Sequence, residues 1–291
     1  MFKPKIVGPI LGYGFGEQEA PVSIATDTFD FTDDSPYRVF IQLEPPDIVP
    51  TEQQLIDSHT FYDLILAWNQ RVLDGCPNNA VKFIFGTCRW ASNPQDHCDA
   101  SKKRFAVSYL TSSKTMCAGH YFRHEIYKRL PASIGQLEVT KYMSSAGGGM
   151  PEAQPQLECK RPLLYPYQYS IVMENGKRTN WITEKLIDCL VSRTIPIYWG
   201  APNVGEFFDA RGILSFDTYE DLSRILEGLT PEFYQSRAEA VEHNLHEAMK
   251  YTDIHARVDE EIRRRLSNDN LGTTINQRNG KEVRQRLPRQ Q

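Results

Sequence analysis

Residues Tyr169 to Phe208 read YSIVMENGKRTNWITEKLIDCLVSRTIPIYWGAPNVGEFF. The β-rich run Tyr169–Glu174 predicts a strand, and the polar residues after it predict a loop. Ile182–Ser192 follows with Leu186, Ile187, Leu190 and Val191 spaced three and four apart, which predicts a helix with one buried face. Thr194–Trp199 predicts a second, buried strand, ended by Gly200-Ala201-Pro202. Strand, helix and strand in this order form the unit of a parallel α/β sheet. Ligands of such sheets sit beyond the carboxyl ends of the strands, where Glu174 and Asn175 fall. Thr183 is placed to cap the helix, with Glu184 and Lys185 in its first turn. A helix N-terminus offers free N–H groups and a partial positive charge, which suits a phosphate. Lys185 adds a full charge there, and Glu184 can accept hydrogen bonds from ribose hydroxyls. The plainer alternative is an ordinary strand–loop–helix unit, with Asn175 a turn residue and Trp181 a core edge.

The same alternation extends in both directions. Upstream, Lys5–Ile10, Val22–Thr26, Tyr37–Glu44, Tyr62–Ala67 and Lys82–Phe85 predict strands, and Thr51–Ser58 predicts a short helix after Pro45-Pro46. The polar stretch from Cys88 to Lys103 predicts a linker or long loop. A second block begins with a strand at Phe105–Leu110 and a helix at Tyr121–Leu130. Ser144 to Lys160, with Gly147-Gly148-Gly149, predicts a loop. Ile213–Phe216 predicts a strand and Tyr219–Leu229 a helix. Pro231 then opens one long helix to about Tyr251, and Asp259–Ser267 predicts another. The last ~20 residues have the composition of a loose tail. The expectation is an α/β protein with domains at 1–103 and 104–251, followed by a C-terminal helix and tail at 252–291.

The bulk numbers narrow the class. With 291 residues the chain can bury two cores. Its 33 basic and 37 acidic residues leave a net charge of −4, which argues against a nucleic-acid partner. No apolar run reaches the length of a membrane span. The opening MFKPKIVGPILGYGFGE reads as a strand and loop rather than a leader. The six cysteines form no C-x-x-C pair and there is no N-x-S/T sequon, so a reducing, cytoplasmic setting is expected. His120 and His124 are four apart but lack the glutamate of H-E-x-x-H, and read as ordinary helix residues. A metal-dependent hydrolase using His97, Cys98, His120 and His124 would need more regular spacing. Arg263-Arg264-Arg265 and Arg284 to Arg289 read as solvated, with a peripheral membrane contact left open.

Met173-Glu174-Asn175, then Trp181-Ile182-Thr183-Glu184-Lys185, then Ile195-Pro196-Ile197-Tyr198-Trp199-Gly200 resemble the donor-site signature of the α-1,3-fucosyltransferase family, and its bacterial members above all. Met173 and Trp181 stand where that family usually has Phe and Tyr; Trp keeps the stacking face near the nucleotide and loses the phenol hydroxyl. The resemblance implies two Rossmann-like domains facing across a cleft (the GT-B arrangement), with GDP-fucose held by the second. It implies donor-binding roles for Arg123, Glu174, Asn175, Trp181, Thr183, Glu184 and Lys185. Arg123 would contact the diphosphate, a role that suits a bidentate arginine. The strand ending Gln42-Leu43-Glu44-Pro45-Pro46 is similar to the family's strand ending in a general base, which makes Glu44 the base and Asp47 its nearest substitute. Glu44, Arg123 and Lys185 would then be the catalytic set of an inverting transfer to a glycan hydroxyl. Arginine, lysine and a helix N-terminus supply positive charge, and the chain lacks D-x-D, so no cofactor and no obligatory metal are expected. By family analogy the acceptors are cell-surface polysaccharide or lipid-linked glycans. The Gly147–Gly149 loop, from its composition, would order on donor binding. The alternatives are the same fold using another nucleotide sugar, and a glycan- or nucleotide-binding protein without catalysis.

Overall fold

The computed structural model describes residues 1–8, 15–18, 20–88, 98–146, 150, 153–155 and 157–268. Two sheets are present. The first has five parallel strands in chain order: β1 (Lys5–Val7), β2 (Val22–Thr26), β3 (Tyr37–Ile41), β4 (Leu64–Ala67) and β5 (Ala80–Lys82). Its middle strands are buried on both faces, and successive side chains serve different cores. Phe40, Ile65 and Ala67 pack with α1 (Glu52–Ser58) and α2 (Gln70–Gly75) residues Leu55 and Val72. Their neighbours Val39, Ile41, Leu64 and Leu66 face the other way.

The second sheet has six strands in the order β11-β10-β9-β6-β8-β7. These are β6 (Arg104–Ser112), β7 (Ser133–Ile134), β8 (Leu137–Ser144), β9 (Tyr167–Met173), β10 (Ile195–Trp199) and β11 (Leu214–Ser215). All pair in parallel except the β7–β8 hairpin. After β6 the chain moves to one side, and from β9 onward to the other. The carboxyl ends of β6 and β9 therefore form a topological switch point, where the connections diverge and leave a crevice. Helices α3 (Ala118–Arg129), α4 (Arg161–Leu164), α5 (Glu184–Val191), α6 (Tyr219–Gly228), α7 (Pro231–Ser236) and α8 (Ala238–Met249) complete this half. α9 (Ile254–Asn268) returns to the first half. Its Ile254, Val258, Ile262 and Leu266 cover the face of β2–β4 that α1 and α2 leave bare. Asp259 pins it there by accepting from Gly16 N–H and Gln18 Nε2, both at 2.6 Å.

The α/β class and the paired Rossmann-like halves are as the sequence implied. Four local differences have physical causes. The single helix expected from Pro231 to Tyr251 breaks at Arg237 (φ −105°, ψ 7°), where Ser236 Oγ donates back to Phe233 O at 2.7 Å. Strand β8 and helix α2 were not anticipated. Lys103, expected in a polar linker, is buried, and its ammonium donates to the carbonyls of Leu164, Tyr165 and Tyr167 and to Thr194 Oγ1 at 2.8–3.0 Å. Burial lowers its pKa to about 8. Gly147–Gly149, His97, residues 9–10 of the first expected strand and Arg284 to Arg289 lie outside the described residues.

Candidate active site

A cavity of about 400 Å³ opens at the switch point. Thr111 and Ser112 at the end of β6 and Ile171–Met173 at the end of β9 form its floor. The first half contributes Glu44, and the second contributes Arg123, Asn175, Glu184 and Lys185.

The helix start at its edge is built as the spacing predicted. Thr183 caps α5, its Oγ1 accepting from Lys185 N–H. Beneath it, Glu174 is fully buried and accepts from Thr183 N–H at 3.0 Å and Thr183 Oγ1 at 2.7 Å. Lys185 Nζ lies 3.5 Å from the Glu174 carboxylate and 3.2 Å from that of Glu184. Glu174 and Thr183 thus hold the two residues that face the cavity. Burial opposes ionisation of Glu184, yet the Lys185 and Lys160 ammonium groups hold its carboxyl well below the usual range.

Arg123 projects from α3, and its Nη2 donates to Met173 O at 2.7 Å and Asn175 Oδ1 at 2.8 Å. Its Nε has no hydrogen-bond partner among the described residues. The approach of α3 to the Asn175 loop is so close that a Cβ on Gly119 would lie 2.1 Å from Asn175 O. Glycine is required there.

Glu44 is set by a second carboxylate. Asp27 accepts from Leu43 N–H at 2.9 Å and Glu44 N–H at 2.7 Å, from a left-handed backbone position (φ 47°) that aspartate tolerates. Burial pushes the Asp27 carboxyl up to about 7. Burial also raises that of Glu44, while Lys185 and Lys114 pull it back.

Trp181 is not at the cavity. Its ring is 2% exposed and packs on Trp68, centroids 5.7 Å apart, in the seam between the halves. Both indole N–H groups donate to Leu43 O at 3.2 Å. A ring so enclosed has no face to offer a nucleotide, which corrects its expected donor-binding role. Asp47, the substitute base, forms an exposed ion pair with Arg178.

Lys160, which the sequence reading passed over, lines the cavity. Its Nζ is 2.5 Å from Asp188 Oδ2 and 3.7 Å from Glu184 Oε1. The signal was present: Asp188 sits among the apolar residues of α5, one turn after Glu184, and a buried carboxylate requires a cation. A larger cavity, about 650 Å³, lies beyond β10 and β11. Its Lys177 and Arg224 are paired with Asp217 and Asp221, so it concentrates no positive charge. Among the described residues no three His, Cys, Asp or Glu side chains come together to hold a metal. His124 Nε2 is instead 2.8 Å from Ser112 O.

Residues 100–240 match the family described as glycosyltransferase family 10 (fucosyltransferase), C-terminal. This segment is similar to the C-terminal domain of that family. The α-(1,3)-fucosyltransferase FucT of Helicobacter pylori is 31% identical over 68 residues, which are 23% of this chain and only 14% of that protein. Beyond the matched segment the likeness is one of fold alone. The α,α-trehalose 6-phosphate synthase of Burkholderia multivorans has a TM-score of 0.55 at 11% identity, covering 92% of this chain and 74% of that one. TarM has a TM-score of 0.56 at 8% identity, covering 83% and 54%. The cavity's cations and Asn175 all fall inside the matched segment, and Glu44 is supplied from outside it.

Proposed function

We propose that the protein is an inverting glycosyltransferase that transfers fucose from GDP-fucose to a glycan hydroxyl. The observation that carries this reading is a single cavity with a raised-pKa carboxylate, Glu44, on one wall and Arg123 and Lys185 of the segment that matches family 10 on the other. Glu44 takes the proton of the acceptor hydroxyl as its oxygen attacks C1 of the sugar. The bond from C1 to the diphosphate breaks, GDP leaves with the electron pair, and the anomeric centre inverts. Arg123, Lys185 and the N-terminus of α5 meet the charge growing on the leaving diphosphate, the preorganised stabilisation that serves anionic transition states generally. That much positive charge makes a divalent metal unnecessary. Glu184 accepts from the ribose hydroxyls, and Glu174, Thr183 and Asn175 hold the cations and the helix end in place.

Thermal unfolding with saturating GDP, UDP, CMP or dTDP, without metal, tests the donor. A ligand at about 100 times its Kd stabilises by about 2.7 kcal/mol. A shift with GDP alone is expected. A shift with a different nucleotide would keep glycosyl transfer and remove GDP-fucose; no shift with any would remove the donor site.

A further inference from the structure

His120 stands in the first turn of α3, three residues before Arg123, so the two side chains share a helix face. It is 1% exposed and lines the cavity. Met116 N–H lies 3.1 Å from its Nδ1. A backbone N–H can only donate, so Nδ1 accepts and the ring proton sits on Nε2. Among the described residues no protein group accepts from that Nε2–H, which leaves it open to a ligand in the cavity. The groups around the ring are Arg123, Lys114, His124 and Lys185; burial first, and then these charges, lower the imidazole pKa to about 4. The ring is therefore neutral over the working range of pH.

From the tautomer, the burial and the shared face with Arg123 we infer that His120 donates a neutral hydrogen bond from Nε2 to a diphosphate oxygen of the nucleotide, beside the Arg123 guanidinium. This rests on the donor reading above and adds a ligand to it. A neutral donor adds direction among cations that supply charge. It grips one oxygen without a further positive group to desolvate.

The test uses the full chain with H120N and H120Q, titrated calorimetrically with GDP and with guanosine. Asparagine can still accept from Met116 N–H through Oδ1 but has no donor at the Nε2 position. Glutamine reaches that position with its amide N–H. H120N is expected to lose about ten-fold in GDP affinity, the size of one hydrogen bond to a charged group, with guanosine binding unchanged. H120Q is expected to recover most of the loss. The inference is overturned if H120N binds GDP like the wild type, or if GDP and guanosine weaken together, which marks a structural role. If the wild type binds another nucleoside diphosphate in place of GDP, the guanine assignment fails and the same comparison is made with that nucleotide and its nucleoside. If it binds none, both readings fall.

Discussion

In the first sheet the strands lie side by side in chain order, so every connection leaves in the same sense. In the second, the chain reverses between β6 and β9 and its connections part. The difference decides what each half can contribute. The reversal opens a crevice ringed by helix starts, and α3 and α5 bring Arg123, Glu184 and Lys185 to it. The first sheet has no crevice of that kind and presents one carboxylate, Glu44, just past a strand end, clamped by Asp27 from the end of its neighbour. The half with the switch point holds charge in several places; the half without it holds a single group in a fixed place.

The comparison can be broken at its sharpest point by Glu44→Gln. If the first half contributes chemistry and the second binding, turnover falls by about 10²–10⁴-fold while GDP affinity measured by calorimetry stays put. Loss of GDP affinity instead would move Glu44 to the binding side. Next in size is Trp181→Ala. A tryptophan buried in the seam should lower unfolding free energy by about 3–5 kcal/mol in urea titrations, whereas a nucleotide-stacking ring would leave stability alone and weaken GDP. Arg123→Ala should cost about ten- to a hundred-fold in GDP affinity, the range for hydrogen bonds to charged groups.

Asp27→Asn tests the clamp through pH. The folded carboxyl titrates near 7 and the unfolded one in the ordinary carboxylate range, so the folded chain holds an extra proton between about pH 4 and 7. The stability from Asp27 is then fullest at low pH and is lost as pH rises through 7. The difference in unfolding free energy between wild type and D27N should shrink from pH 5 to pH 8; a constant difference would return Asp27 to ordinary titration. The smallest effect belongs to Arg178→Ala. The exposed pair with Asp47 crosses the cleft, and its loss should change stability by less than about 1 kcal/mol.

What could be read in the sequence was local. Thr-Glu-Lys after a strand announces a capped helix, and Thr183 caps it because hydroxyl, backbone and first turn all lie within three residues. The strand β8 escaped because Glu138 and Lys141 interrupt its apolar residues. Lys141 is not there for the strand: its ammonium donates to Tyr127 O and Leu130 O and closes the end of α3. Trp181 was misplaced for a related reason. Its partner Trp68 lies far away in the chain, and no spacing within the TEK segment announces a ring from the other half. Lys160 was passed over, and His120 was read as an ordinary helix residue, because their meaning depends on which groups the fold sets beside them. The switch point itself follows from strand order, which a single sequence does not spell out.

The return of α9 has a consequence for how the protein is made. The face of β2–β4 that carries Val39, Ile41, Leu64 and Leu66 stays uncovered until Ile254, Val258, Ile262 and Leu266 have left the ribosome. Roughly 170 residues separate β5 from α9, and synthesis at about 5–20 residues per second makes the delay on the order of ten to thirty seconds. Through that interval the nascent first half carries an open apolar surface, the kind that chaperones hold. The half made first is the half finished last.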